Sequence, residues 1–371
     1  MEIGLPQLMG NTRISRRLSV FYEPQPIDCI TSRAKTYSLI NSVSFHPSEN
    51  LFCAAFTTVS QLIIFKIDRF GQARTSQILK SPTALLDEPQ HVVFSTDGQK
   101  IIAVNWNSEI FTIYQRGANG RYAHSPLASI KFPEPLAGFK PHGMDMSRCG
   151  NKMVLAFGST SLRKRGVALF SFDDKEPAIR LLSLIKEEEL PGIPKGVVFS
   201  PDGRCVLVTY ADANCICVYG FDAETGRLNP VPLQTFKGEA TRLFRPEDIR
   251  ISREGDSILV SNSEADRITS YHFDSRSNRI TEEAPSNALE NPGANMQFPH
   301  GIALSPDGGL LVVSQFGPLP ITSDGNIVFG SKTPRKQARI NIYRHQRFQP
   351  VLKKYAWRRF WSSLVRTVAF R

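Results

Sequence analysis

No run in this chain approaches the roughly eighteen apolar residues that a membrane-spanning helix needs, and residues 1–16 hold no apolar stretch of the kind found in secretion signals. Neither a span nor a signal peptide is expected, and the expected location is the cytoplasm. The six cysteines, at positions 29, 53, 149, 205, 215 and 217, form no C-x-x-C pair. That spacing argues against structural zinc and for buried, reduced thiols. A Ser-His-Asp motif, a glycine-rich phosphate loop and a metal-spaced histidine pair are all missing, so no motif announces a metal or a cofactor. Acidic residues are absent from 331–371, where twelve Lys/Arg stand. The net charge of +11 therefore leaves about −1 (11 minus 12) for the rest of the chain.

The basic end is also amphipathic. Trp357, Phe360, Trp361, Leu364, Val365 and Val368 follow helical spacing, with Arg358, Arg359, Ser362, Ser363, Arg366 and Thr367 opposite. Such a tail either packs its apolar face on the body, or supplies a closing strand, or meets an anionic membrane or acidic partner. Nucleic acid is not expected, because the body carries no comparable basic stripe.

What the chain does have is a repeat. Residues 194–222 contain three short runs rich in β-branched and aromatic residues, at 197–199, 206–210 and 216–221, and a fourth is expected near 231–236. Ser200-Pro201-Asp202-Gly203 joins the first two as a turn, Pro fixing φ and Gly supplying a positive one. The same unit recurs at anchors His46, Ser95, Ser147, Ser200, Ser252 and Ser305, spaced 49, 52, 53, 52 and 53 residues apart. A fixed period near fifty residues, built of short strands, is the signature of a β-propeller.

The expected fold is thus all-β, a single propeller over 1–371 with four-stranded blades. Six repeats lie within 38–345, closing strands within 1–37, and the basic tail at 346–371. Leu18 to Tyr22 reads as the third strand of a composite blade, and 371 residues over a period of about 52 gives about seven. Seven blades are expected, with six as the alternative. Innermost strands are expected at 91–95, 142–147, 195–200, 247–252 and 300–305. One connection, 316–337, is far longer than its counterparts, and loops of that length are often functional.

A propeller brings together, at one end of its channel, the residues entering each innermost strand and those leaving the second. Entering positions, each after a Pro, are Gln90-His91, His142-Gly143, Lys195-Gly196, Glu247-Asp248 and His300-Gly301; leaving positions include Asn105, Tyr210, Asp212, Asn262, Glu264 and Gln315. His142, Glu247 and His300 are the candidate catalytic residues. His91, Asn105, Lys195, Asp212, Asp248, Asn262 and Gln315 are candidate substrate-binding residues. Glu247, Asp248 and Asn262 are also the set that could hold a calcium ion, although no cofactor is the expectation.

Three motifs carry a resemblance: Val-Phe-Ser-Pro-Asp-Gly-Arg at 198–204, Val-Tyr-Gly-Phe-Asp-Ala-Glu-Thr-Gly-Arg-Leu at 218–228 and Pro-Glu-Asp-Ile-Arg-Ile-Ser at 246–252. The chain resembles lactonase-type β-propellers over about 38–345, the group that includes the propeller kind of 6-phosphogluconolactonase and is related to YVTN-type repeat proteins. Where that family usually carries His after the Pro of such a blade, this chain has Lys195. The resemblance implies hydrolysis of a small polar lactone, with a carboxylate or His activating water. The alternative is a non-catalytic propeller presenting the same face to a protein partner. A monomer is expected in either case.

Overall fold

The computed structural model describes residues 22–31, 39–158, 164–222, 227–317 and 338–346. Expectations for 18–21, for the long connection at 318–337 and for the tail beyond 346 lie outside these residues. Within them the chain forms six separate antiparallel sheets. Blade 1 runs from its innermost strand Ile40–Phe45 through Leu51–Phe56 and Gln61–Ile67 to Ala73–Lys80. Blades 2 to 6 start from the innermost strands Pro89–Phe94, Pro141–Met146, Pro194–Phe199, Pro246–Ile251 and Pro299–Leu304. Each innermost strand packs beside the next, and that of blade 6 returns to that of blade 1, so the ring is closed.

Six blades, not seven, correct the sequence expectation. The N-terminal strand Asp28–Thr31 pairs antiparallel with Arg339–Arg344 and so becomes the outermost strand of blade 6. It completes a blade instead of founding one, which leaves no open edge at the seam. Tyr22 makes only an isolated bridge, to His345. Dividing length by period overcounts because 316–337 and 346–371 add residues without adding an anchor.

Burial explains the runs seen in the sequence. Inner strands such as Leu51–Phe56 and Cys205–Tyr210 are buried at every position, because a neighbouring blade covers each face. The outermost strands, such as Asp28–Thr31, alternate instead, with one face in solvent. Between blades the packing is apolar: Val154 and Val167 of blade 3 meet Val197 and Val208 of blade 4, and Val198 and Leu207 meet Ile249 and Ile258 of blade 5.

The anchor turns tie each first strand to its second, at the end of the ring away from the entering loops. In blade 4 the Ser200 hydroxyl donates to Asp202 at 2.6 Å and accepts the Cys205 amide at 3.0 Å, with Gly203 at φ +69°. Blade 6 repeats this with Ser305, Asp307 and the Leu310 amide. In blade 1 the imidazole of His46 does the work of the hydroxyl, its Nδ1 accepting the amides of Ser48 and Glu49 at 3.3 and 3.1 Å.

Candidate active site at the channel end

The second residue of every innermost strand is polar and buried: Asn41, Gln90, His142, Lys195, Glu247 and His300, each 3–8% exposed. All six stand five residues before their anchor. One side chain per blade therefore points into the channel at one level. In three blades the next residue is a glycine, for a packing reason. A Cβ on Gly143 would lie 2.3 Å from the Lys195 carbonyl, and one on Gly196 would lie 2.6 Å from the Asp248 Cα. The backbones of neighbouring blades thus approach closely, which keeps the ring narrow.

Glu247 is the centre of the cluster. Its Oε2 lies 3.4 Å from His142 Nε2, 3.4 Å from Lys195 Nζ and 3.5 Å from His300 Nε2. Buried as it is, Oε2 has no hydrogen bond among these neighbours. Oε1 takes Arg245 Nε at 3.4 Å, and Arg245 also pairs with Glu264 at 3.2 Å. His142 and His300 come from opposite blades, with ring centroids 5.1 Å apart. His300 Nδ1 lies 2.7 Å from the Asn41 carbonyl oxygen, which only accepts, so the proton is on Nδ1 and the Nε2 lone pair faces Glu247. The other face of the His300 ring stacks on Phe316 at 4.4 Å.

These surroundings move the titrations. Burial holds His142 well below its usual range, and the Lys195 charge pushes the same way. His300 is also lowered by burial, with Glu247 opposing. For Glu247, burial acts to raise the pKa, but Lys195, His300 and Arg245 together outweigh it and keep the carboxylate ionised. Lys195 is lowered by burial against the pull of Glu247. Burial thus favours the neutral form of both imidazoles, while the neighbouring cations favour the charged form of the carboxylate.

A second polar layer lies further along the channel, toward the anchor turns. Arg250 pairs with Asp248 at 3.0 Å, donates to the Ile249 carbonyl at 2.8 Å and reaches across the ring to His91 Nε2 at 3.2 Å. Asp248 accepts the amides of Ile249 and Ile302, both at 2.9 Å, and Asp145 accepts that of Phe199 at 2.9 Å. These carboxylates join each blade to the next. Burial raises Asp145 to about 6, against the opposing charge of Arg250.

The leaving positions stand elsewhere. Asn105, Asn262 and Gln315 end the second strands of blades 2, 5 and 6. Their side-chain oxygens accept the amides of Asp87, Phe244 and Gln297 at 3.0, 2.9 and 2.6 Å. Glu88, Arg245 and Phe298, each just before a strand-opening Pro, sit at φ of +54°, +48° and +50°. Non-glycine residues favour that region little, and proline disfavours helical geometry before it. The buried amides hold these strained loops and so set where Gln90, Glu247 and His300 enter the ring. Asp212 is exposed, accepts the Ile193 amide at 2.6 Å and lies 3.7 Å from Arg165. Asn262 and Asp248 both accept backbone amides.

Asn41 and Asp145 are the site residues that sequence reasoning missed, while Arg245 and Arg250 pair with the entering carboxylates Glu247 and Asp248 as their neighbouring positions suggest. The offset of five before the anchor finds Asn41, and an offset of two finds both Asp145 and Arg250.

A six-bladed ring with a histidine–carboxylate–lysine cluster at one channel end places the chain among propellers with a polar channel site. No family model matches its sequence, and no curated protein does. Solved structures do match, at the level of fold. A putative 6-phosphogluconolactonase from Bacteroides uniformis is 16% identical with a TM-score of 0.55, over 85% of this chain and 90% of that one. The periplasmic gluconolactonase of Pseudomonas aeruginosa is 16% identical with a TM-score of 0.54, over 82% and 88%. Regucalcin from Agrobacterium tumefaciens, described as a calcium-binding protein, is 14% identical with a TM-score of 0.56, over 89% and 97%. The fold is that of lactonase-type propellers. Among the described residues, no helix is long and apolar enough to cross a membrane.

Proposed function

We propose that this chain is a lactonase-like hydrolase that opens a small polar lactone at the Glu247 cluster. The observation that carries the reading is the meeting of His142, Lys195, Glu247 and His300, from four different blades, within 3.5 Å of one carboxylate oxygen. His300 Nε2, its lone pair held inward by the Asn41 carbonyl, takes a proton from water as the water oxygen attacks the lactone carbonyl. The Lys195 ammonium stabilises the oxyanion that forms. Collapse breaks the bond to the ring oxygen, and the imidazolium returns its proton to that oxygen, giving the hydroxy acid. Glu247 stabilises the transient imidazolium. The ion pairs balance, Lys195 and Arg245 against Glu247 and Glu264, so the cluster selects for a polar substrate rather than for a charged one.

The test is turnover of sugar-acid lactones followed by acid release. His300→Ala is expected to lower kcat/KM by a factor of about 100 to 10,000, the usual range for loss of a general base. Turnover that survives both His300→Ala and Glu247→Gln would overturn the reading. A second reading, a non-catalytic platform, is favoured by the burial of all six ring side chains, which equally suits a polar plug joining the blades. In that case the wild-type chain turns over no lactone, while ring substitutions still lower its stability.

A further inference from the structure

We infer that His142 Nε2, His300 Nε2 and the Glu247 carboxylate form a binding site for a divalent first-row transition metal of the zinc type. The three ligand atoms all lie within 4.8 Å of one another, and all three residues are buried. The two spacings to the carboxylate fit such an ion. Zinc bonds of about 2.0–2.1 Å arranged tetrahedrally put neighbouring donor atoms about 3.4 Å apart. The two imidazole nitrogens lie 3.4 and 3.5 Å from Glu247 Oε2.

Three further observations point the same way. Glu247 Oε2 is a buried oxygen without a hydrogen bond, with only the Lys195 ion pair at 3.4 Å beside it. The Nδ1–H of His300 is held by the Asn41 carbonyl at 2.7 Å, which is how a ligating imidazole is usually oriented, with its other nitrogen free to bind. The donors are two nitrogens and a carboxylate, which suits zinc, cobalt or iron; calcium takes six to eight oxygens.

Lys195 is the competitor. Its ammonium lies 3.4 Å from the same Oε2 and occupies the carboxylate's field when no metal is bound. A metal entering the site displaces it, so removing this charge strengthens metal binding. The inference concerns the residues of the proposed catalytic cluster, but it does not depend on hydrolysis.

The experiment uses the untagged full chain, stripped with a chelator, and Co2+ alone as the probe. A tetrahedral Co2+ site gives intense visible absorption. One Co2+ per chain is expected, displaced by Zn2+, with the absorption lost in His142→Ala and His300→Ala. Lys195→Met is expected to bind Co2+ about tenfold tighter or more, since a like charge a few ångströms away is gone. Because this variant gains binding rather than loses it, it tests the site independently of the alanine variants. Wild-type and Lys195→Met chains that bind no stoichiometric Co2+ would refute the site, as would absorption that persists with both histidines replaced. Co2+ bound without lactone turnover supports the metal site and defeats the hydrolase; turnover in chelated protein that binds no Co2+ does the reverse.

Discussion

Asp145→Asn should stabilise this protein at neutral pH, and the gain should grow with pH between about 4 and 7. Asp145 is half-buried in the second channel layer, and its loss of water there raises its pKa from 3.8 to about 6 despite Arg250 nearby. A carboxyl with a raised folded-state pKa holds its proton more tightly folded than unfolded. Its contribution is neutral below pH 3.8 and turns against folding as pH rises from there to about 6, then stays constant. The difference of about 2.2 units corresponds to about 3 kcal/mol at pH 7, at 1.36 kcal/mol per unit. Asparagine keeps an oxygen for the Phe199 amide, the one hydrogen bond Asp145 accepts from the next blade, and removes the titration. Urea unfolding of both proteins at pH 4, 5, 6, 7 and 8 gives the difference directly, free of every other titrating group. It should be near zero or slightly negative at pH 4 and rise by about 2–3 kcal/mol by pH 7. A difference that stays flat with pH would mean that Asp145 titrates as an ordinary carboxyl, and the reasoning would fail.

Other expectations follow from contacts already described. Gly196→Ala puts a Cβ 2.6 Å from backbone of the neighbouring blade and should destabilise by about 2 kcal/mol or more in urea unfolding. Gly203→Ala, in a turn with nothing within 4 Å but φ +69°, should cost about 1 kcal/mol; equal losses would rule out the close-approach argument. Glu247→Gln leaves Lys195 buried without its counter-charge and should lower stability by about 3–5 kcal/mol, read by thermal and urea unfolding. Deleting residues 1–31 removes the strand on Arg339–Arg344 and bares that edge, so the truncated chain should melt earlier and aggregate; an unchanged melting temperature would show that the closure is dispensable.

Much of the architecture was legible because a propeller writes its period into the sequence. The Ser-x-Asp-Gly turns are local chemistry, so Ser200 and Ser305 could be found from a few residues. The count of blades was not local. Asp28–Thr31 looks like any short strand, and only its pairing with Arg339–Arg344, some three hundred residues away, says which blade it completes. Innermost strands begin one or two residues earlier than expected, because the opening Pro, as at Pro246 opposite Asn262, already stands in register with the second strand. Asn41 escaped notice because Ile40 stands where the other blades have Pro, and His46 where they have Ser. The amides of Asn105, Asn262 and Gln315 show a different limit. A buried amide that shapes a loop and one that meets a ligand read alike until its partners are known.

The ring residues share one position in the repeat, so the fold treats them alike and only their chemistry differs. Asn41 and Gln90 bond to each other, side chain to side chain. His300 is held by a backbone carbonyl, and Arg245 is shared between two carboxylates. Such pairing is what buried polar groups require, and it would be enough for a purely structural plug. Asn41 Oδ1 and Glu247 Oε2 both lack a hydrogen bond, but Glu247 Oε2 is the carboxylate oxygen, with three nitrogens at 3.4–3.5 Å. A plug selected only for stability gains nothing from a charged, unsatisfied oxygen on its axis, since an apolar side chain of similar size does as well or better there. The strained loops before Pro246 and Pro299, each braced by a buried amide, bring this oxygen and His300 Nε2 to within 3.5 Å of each other. Strain, bracing and a charged oxygen without a hydrogen bond meet at this one point, and that coincidence is the ground on which a ligand is proposed there.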